Sequence, residues 1–286
     1  MSATCPDIYE QVEAAICAWT GAPAALLVSS GTAAGQLAIR WLPAAGFYPR
    51  VAPKAHPALW HDSPTAPSTW QQWCTALTDS RNIGVLDAVD PLSVALPPWD
   101  DILGCHPMGL LVDDSHLIGH YGPRGAGSWP SIAGRVEQLV VAASLGKALS
   151  LPAGVLLSDR KTIDSIRKMP QFGGASPPSP AFMYAWLHAT DILTTQRQRL
   201  RQYIHEVHSA LADTEAVALV ADFPVIGLHH HTWVNVLATR GIIASSFHYP
   251  SPEHPRYSRI ILRADHTDEE QERLLETLHW VKTFAQ

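Results

Sequence analysis

A run of small and β-branched apolar residues ends at a single lysine in residues 140–150, VVAASLGKALS. Such a run is typical of a central strand in a parallel sheet, because both faces of that strand are buried. Proteins of the α/β class place ligands at the carboxyl ends of such strands, and Lys147 lies at this end. A lysine after a strand is by itself more often a solvated loop charge. Its role therefore depends on the other motifs of the chain.

Short apolar runs alternate with helical patterns through the first part of the chain, which predicts an α/β fold. The predicted strands are 24–28, 50–53, 83–87, 108–112, the run from 140, and 152–157, and the predicted helices are 7–19, 31–41, 70–77 and 159–169. A Pro/Ser/Thr-rich stretch at 63–68 predicts a surface loop.

The second part of the chain has a different pattern. A long helix is predicted at 180–212, followed by strands at 225–228, 232–237, 242–245 and 259–262 and a final helix at 267–284. We therefore expect a large domain at residues 1–180 and a small α+β domain at 181–286.

Composition excludes several classes of protein. Hydrophobic residues make up 47% of the 286 residues and charged residues 16%, so a sizeable core is expected. The formal charge is −6, and no basic run could follow a phosphate backbone, so nucleic acid is not an expected partner. No apolar run approaches the roughly 20 residues of a membrane span.

The beginning of the chain and its cysteines favour a cytoplasmic protein. The first residues, MSATCPD, lack the basic start of a signal peptide. The four cysteines, Cys5, Cys17, Cys74 and Cys105, show no CxxC spacing, which favours unpaired thiols over a disulfide framework or a zinc site. We expect no metal at His229–His231 either, since adjacent residues on a strand point to opposite faces.

A turn of small residues, SSGT at 29–32, joins the first predicted strand to a helix. Backbone N–H groups at a helix start can bind an anion, so this turn is a candidate phosphate site. The alternative is an ordinary helix start capped by Ser30. The turn alone does not decide between them.

The strand at 108–112 runs into VDDSH, which places Asp113, Asp114 and His116 at its end. Buried carboxylates are costly unless a positive group meets them, and a cationic ligand group is the simplest candidate. A further histidine, His56, follows the predicted strand at 50–53.

The motifs SSGT, His56, VDDSH and SLGKALS occur in the order found in fold type I pyridoxal-phosphate enzymes. More narrowly, the chain resembles the α-oxoamine synthases, the group with 8-amino-7-oxononanoate synthase, glycine C-acetyltransferase and serine palmitoyltransferase. The resemblance runs from about residue 7 to the C-terminal helix. It implies a large domain with a central, mostly parallel sheet, a small C-terminal domain, and pyridoxal 5'-phosphate as cofactor.

The resemblance implies a role for each residue of the VDDSH motif and for His56. Asp113 pairs with the pyridine nitrogen of the cofactor and keeps it protonated, so that the ring accepts electrons from a substrate carbanion. His116 lies near the phenolic oxygen of the cofactor. His56, in AHPA where the family has NHAS, stacks on the pyridine face.

In SLGKALS, which resembles the family's (S/T)xGKA(x)G pattern, Lys147 forms the imine with the cofactor as a partly desolvated amine and later carries the α-proton. Ser144 and the Ser30–Gly31–Thr32 turn hold the phosphate. In SRIILRADHT, which resembles RLRxxLxAxHT, Arg259 binds the α-carboxylate of the substrate, whereas Arg263 has no counterpart.

The chain departs from the family pattern at three places. It begins near the HxxLE-like helix at 9–13, so the family's N-terminal segment is expected to be missing and substrate recognition to be altered. The SMDG loop reads AVDPL at 88–92, and FSTSxPP reads FGGASPP at 172–178. Gly174 there replaces a threonine whose hydroxyl reaches the phosphate of a neighbouring subunit in the family.

The resemblance implies a homodimeric transferase that activates an amino acid at its α-carbon and transfers it to an acyl-CoA or keto-acid acceptor. Transamination or aldol cleavage requires the same Asp113, His56 and Lys147, so both stay open. A catalytically weak protein that uses the pocket for binding or regulation is the third possibility.

Overall fold

The chain divides into two compact units in a computed structural model that describes residues 6–60 and 69–284. The first unit contains Met1–Val89 and Pro97–Asp191, and the second contains Asp90–Leu96 and Ile192–Gln286. The predicted surface loop at 63–68 and Cys5 lie outside the described residues. The domain assignment made from the sequence, 1–180 and 181–286, stays a prediction.

A six-stranded sheet forms the centre of the first unit, in the order β1-β6-β5-β4-β3-β2. Its strands are β1 (Ala24–Val28), β2 (Tyr48–Val51), β3 (Asn82–Asp87), β4 (Gly109–Asp113), β5 (Gln138–Ser144) and β6 (Gly154–Ser158). Strands β2 to β5 pair in parallel, and β6 is antiparallel to both β5 and β1. Strands β1, β4 and β6 are buried at every position, which explains their continuous apolar sequences. The expected mostly parallel sheet is confirmed.

Eight helices belong to the first unit in its described part. They are α1 (Pro6–Thr20), α2 (Gly31–Ala44), α3 (Trp70–Ala76), α4 (Trp99–Gly104), α5 (Trp129–Ile132), α6 (Arg160–Arg167), α7 (Pro170–Gly173) and α8 (Pro180–Leu187). Helix α2 packs on β5 and β6 through a face that includes the fully buried Ala34, Ala38 and Leu42. Its small side chains bring the helix start close to the sheet.

A four-stranded antiparallel sheet with three helices forms the second unit. The strands are β7 (Val217–Ala218), β8 (Val225–Leu228), β9 (Ser245–His248) and β10 (Arg256–Ile261), in the order β7-β8-β10-β9. The helices are α9 (Thr190–Leu211), α10 (Trp233–Thr239) and α11 (Asp268–Phe284). Their shared core includes the fully buried Val207, Ile226 and Leu278. This is the α+β arrangement expected for the small domain.

Three element predictions in this part of the chain are wrong. The helix predicted at 180–212 is two helices, α8 and α9, because the chain turns at His188, whose ring stacks on Tyr184 at 4.2 Å. The strand predicted at 232–237 is α10, in which Trp233 and Leu237 are buried on one helical face. The strand predicted at 242–245 begins only at Ser245, since Ile243 is 97% exposed.

No helix in the described part of the chain is long and apolar enough to cross a membrane. Cys17, Cys74 and Cys105 are free thiols.

Candidate active site

The predicted site residues of the first unit lie at one edge of its sheet. Asp113 is the last residue of β4, and Ser144 is the last residue of the adjacent parallel strand β5. Strand β1 has the same direction as β5, because both are antiparallel to β6, and it leads into Ser30 and α2. Three parallel strand ends therefore deliver polar groups to the same edge.

The turn between β1 and α2 is both a capped helix start and a candidate anion site. Ser30 caps α2 by accepting a hydrogen bond from the N–H of Ala33 at 3.1 Å. The N–H groups of Gly31 and Thr32, one and two residues further on, have no partner within the helix, as at any helix start. Capping by Ser30 and anion binding by the next two N–H groups are thus compatible.

Two glycines allow the strand ends to converge at this turn. A Cβ atom on Gly31 would lie 2.5 Å from the Cβ of Ser144, and one on Gly154 would lie 2.1 Å from the carbonyl oxygen of Ser30. Both contacts are too close for any side chain, so the turn, the end of β5 and the start of β6 approach one another only with glycine at these positions. The backbone of the turn consequently lies directly against Ser144.

The end of β4 is fastened to the end of β5 through Ser115. Asp113 is 8% exposed, and its Oδ1 accepts a hydrogen bond from the N–H of Ser115 at 2.9 Å. The hydroxyl oxygen of Ser115 in turn accepts a hydrogen bond from the N–H of Ser144 at 2.8 Å. Ser115, which lies between the two motif residues Asp113 and His116, has no role that its local sequence indicates.

Lys147 and His116 are in direct contact. The Nζ of Lys147 lies 2.8 Å from the Nε2 of His116, which is a hydrogen-bonding distance, with donor and acceptor set by the imidazole tautomer. The contact joins the turn after β5 to the segment after β4. Lys147 is exposed, as are Gly146 and Ala148. The partial desolvation of Lys147 beside the cofactor stays a prediction.

His56 is held near the same edge by its backbone. Its N–H donates to the Oδ2 of Asp87, the last residue of β3, at 2.7 Å, and its Nδ1 accepts from the N–H of Ala58 at 3.1 Å. Partial burial lowers the pKa of His56, the charge of Lys147 lowers it further, and the charge of Asp113 raises it. The ring is accordingly neutral near pH 7, with Nδ1 as acceptor. Asp87 is a second residue whose role the sequence analysis missed.

Asp114 points away from this edge and into the protein. It is completely buried, and burial raises the pKa of its carboxyl to about 7, opposed by hydrogen bonds from Ser128. The Ser128 N–H lies 3.0 Å from Oδ2, and a Cβ atom on Gly127 would lie 1.9 Å from the same oxygen. The expectation of a cationic ligand group for both carboxylates is thus wrong for Asp114, which holds the glycine-rich loop instead.

Arg259 lies in the second unit, on β10. It is half-buried, and its Nη1 donates to the carbonyl oxygen of Pro91 at 2.8 Å. Arg263 pairs with Asp265 two residues on, Nε to Oδ1 at 2.9 Å, in an exposed ion pair. Arg263 therefore forms a local surface contact.

The three consecutive histidines contact different residues, and His230 packs near Trp233 with ring centres 6.0 Å apart. His229 Nδ1 lies 2.7 Å from the carbonyl oxygen of Glu215, and His231 Nδ1 lies 2.9 Å from the hydroxyl of Ser258. Residues 6–60 and 69–284 contain no group of three or more acidic, histidine or cysteine side chains arranged to hold a metal ion.

A family model for aminotransferases of class I and II matches residues 95–278, more than half of the chain. The chain belongs to this family. The 8-amino-7-oxononanoate synthase of Serratia proteamaculans is 26% identical, over 95% of this chain and 77% of its own length. The same-named protein of Halorhodospira halophila is 27% identical, over 94% of this chain and 74% of its own length.

Solved structures of related enzymes share the fold. The serine palmitoyltransferase of Sphingomonas wittichii matches with a TM-score of 0.78 at 18% identity, covering 97% of this chain and 76% of that one. The 8-amino-7-oxononanoate synthase of Francisella tularensis matches with a TM-score of 0.74 at 20% identity, covering 98% and 88%. The fold is that of the fold type I pyridoxal-phosphate enzymes. As a member of the class I and II aminotransferase family, the chain is a pyridoxal-phosphate-dependent transferase that resembles the α-oxoamine synthases.

The residues at the sheet edge suit pyridoxal phosphate. A helix start lined by Gly31 suits a phosphate, a shielded carboxylate at Asp113 suits a protonated pyridine nitrogen, and the Lys147 amine suits an aldehyde. The roles of the individual residues stay predictions.

Proposed function

We propose that this protein is an α-oxoamine synthase-like enzyme. It acts on an amino acid at the α-carbon and transfers an acyl group to that carbon. The contact of Lys147 with His116, next to the end of β4 that carries Asp113, is the observation that carries the proposal. It brings together an amine, an imidazole and a shielded carboxylate. These are the groups needed to hold the cofactor and to move a proton.

In this proposal the chain holds pyridoxal phosphate through both ends of the cofactor. The turn Ser30–Gly31–Thr32 and the Ser144 hydroxyl bind the phosphate, since helix-start N–H groups favour anions. Asp113 pairs with the pyridine nitrogen, and the neutral ring of His56 stacks on the pyridine face. When bound, the cofactor supplies an electron sink that stabilises negative charge at the substrate α-carbon.

Lys147 and His116 share the proton-transfer work. Lys147 would hold the cofactor through its amine and would accept the proton from the α-carbon of the bound amino acid. His116, 2.8 Å away at Nε2, orients Nζ and exchanges a proton with it. Arg259 binds the α-carboxylate of the amino acid, a task that suits a planar guanidinium.

The nature of the acyl donor is proposed from the relatives. One relative is named for making 8-amino-7-oxononanoate, and one structural neighbour is named for transferring a palmitoyl group to serine. For this chain we propose an acyl-CoA donor by analogy with those names. An aminotransferase using a keto acid, or an aldolase, remains an alternative because it needs the same Lys147, Asp113 and His56.

A catalytically weak binding or regulatory protein is the second alternative. It is favoured by the altered loops AVDPL at 88–92 and FGGASPP at 172–178. In the second loop Gly174, which follows the short helix α7, offers a backbone N–H to the Pro170 carbonyl and has no hydroxyl.

A screen of the cofactor-loaded protein tests these possibilities directly. Glycine, L-alanine, L-serine and L-threonine are each added with acetyl-CoA, with a longer acyl-CoA, with pyruvate, or alone. We expect free CoA to appear only when an amino acid and a thioester are both present. Formation of a new amino acid from pyruvate would show an aminotransferase, and aldehyde release from L-threonine alone would show an aldolase. A visible cofactor band with none of these products would contradict the enzyme proposal.

We also propose a homodimer, as in the family that the chain resembles. Helix α8 supports it, because Phe182 is 47% exposed and Tyr184 is 60% exposed on its surface. Sedimentation equilibrium is expected to give twice the chain mass of 31.2 kDa. A concentration-independent mass of one chain would contradict the dimer.

A further inference from the structure

A short segment of the chain, Asp90–Leu96, belongs to the second unit although the residues on both sides of it, Val89 and Pro97, belong to the first. The segment closes on itself, because the N–H of Asp90 donates to the carbonyl of Ala95 at 2.9 Å and the N–H of Ala95 donates back at 3.2 Å. It is therefore a defined turn whose carbonyl groups have fixed directions.

The side chain of Asp90 holds this turn together. Its Oδ1 accepts hydrogen bonds from the N–H groups of Leu92 at 2.9 Å and Ser93 at 3.2 Å, and its Oδ2 accepts from the Ser93 hydroxyl. Val94 adopts a φ of 51° with its side chain buried, an unfavourable conformation for a β-branched residue. The side chain of Val94 packs where Gly227 of β8 leaves space, since a Cβ there would lie 3.1 Å from Val94 Cγ2.

The carbonyl that this turn presents is bound by Arg259. Arg259 Nη1 donates to the Pro91 carbonyl at 2.8 Å, and the guanidinium carbon lies 5.2 Å from the ring centre of Phe247. Burial lowers the pKa of Arg259 and the nearby charge of Asp90 raises it. The turn and the ring thus restrain the plane of the guanidinium from two directions.

Arg259 has hydrogen-bond donors that its protein partners do not use. Nε is buried with no acceptor among the described residues, so it faces protein. One Nη1 hydrogen is used by Pro91, whereas Nη2 donates to no acceptor in the described part of the chain, and the residue as a whole is only half-buried. The second Nη1 hydrogen and Nη2 together form an end-on pair of donors that matches the two oxygens of a carboxylate.

We propose that Asp90–Leu96 and Phe247 form a positioning element for Arg259, which makes binding selective for amines that carry an adjacent carboxylate. The inference rests on the proposed function and adds to it residues outside the cofactor site. Asp90 acts through the Pro91 carbonyl and Phe247 acts through its ring, so both are positioning residues. The preference for a carboxylate, and not the affinity for amines in general, depends on them.

The test compares L-alanine with ethylamine, which lacks only the carboxylate, in spectral titrations of the pyridoxal-phosphate-loaded protein. We expect the wild type to bind L-alanine more tightly and Arg259→Ala to lose that preference. Asp90→Ala is expected to lower the preference about tenfold, since its turn opens, and Asp90→Asn to restore most of it, because an amide oxygen accepts from the same N–H groups. Phe247→Leu is expected to lower it about threefold. The matched control is Asp213→Ala, an 88% exposed carboxylate of the same unit.

Each outcome of these titrations decides the inference. An unchanged preference in Asp90→Ala and Phe247→Leu, or parallel weakening of L-alanine and ethylamine, would overturn the positioning role and leave the proposed function standing. A wild type that binds both amines equally would overturn the positioning role and the carboxylate role of Arg259, and would leave the roles of Lys147 and Asp113 standing. A wild type whose spectrum responds to neither amine would contradict the proposed function, and the positioning role with it. Phe247→Leu keeps the turn intact and carries the test if Asp90→Ala does not fold.

Discussion

Replacing Lys147 with alanine is expected to slow exchange of the α-proton of L-alanine, glycine or L-serine by about 10³-fold. The exchange requires a base at the α-carbon, and in our account that base is the Lys147 amine, oriented by His116 at 2.8 Å. Exchange is measured as loss of the α-proton signal in D₂O by NMR, with pyridoxal phosphate at saturating concentration. This readout needs no knowledge of the acyl or keto acceptor.

The matched control is Lys161→Ala, which removes an exposed lysine of α6. We expect it to keep the wild-type exchange rate. If Lys147→Ala retained the rate while its cofactor stayed bound, another group would have to be the base, and the role of the Lys147–His116 contact would be wrong.

Asp113→Asn is expected to have the second-largest effect, about a 10²-fold loss of α-proton exchange. The substitution keeps an oxygen that can accept the Ser115 N–H, so the end of β4 stays in place, and it removes the charge that keeps the pyridine nitrogen protonated. Cofactor content, measured by equilibrium dialysis, separates loss of binding from loss of chemistry.

The adjacent residue provides a close control for this prediction. Asp114 is completely buried and burial raises the pKa of its carboxyl to about 7, so Asp114→Asn imitates a protonated form that the wild type already populates. We expect Asp114→Asn to keep most of the exchange. Equal losses in both variants would indicate a general disturbance of the β4 end and would contradict the specific role of Asp113.

Much of the fold could be predicted because its strands are buried on both faces. The continuous apolar sequences of β1, β4 and β6 are the direct result of that burial. The wrong strand predictions lie where an apolar run does not belong to a buried strand. Residues 233–237 lie in helix α10, whose buried face is Trp233 and Leu237. An apolar run this short fits the repeat of a helix as well as that of a strand. Ile243 is apolar and almost fully exposed.

The candidate site could be predicted as a set of residues but not as a set of contacts. The order of the motifs indicates Gly31, Asp113 and Lys147 because each sits where a strand ends. Contacts between distant parts of the chain carry no local signal. The hydrogen bond of Arg259 to the Pro91 carbonyl spans 168 positions, and the hydrogen bond from the His56 N–H to Asp87 spans 31. Such contacts depend on how the strands pair, which local pattern does not specify.

The central claim is that Lys147 is the residue that binds pyridoxal phosphate covalently. Its most direct test is borohydride reduction of the cofactor-loaded protein, followed by proteolysis and mass spectrometry of the peptides. We predict that one peptide, the one containing Lys147, gains the mass of a reduced pyridoxal-phosphate group. Modification of a different lysine, or of none, in a protein that keeps its visible cofactor band would contradict the claim.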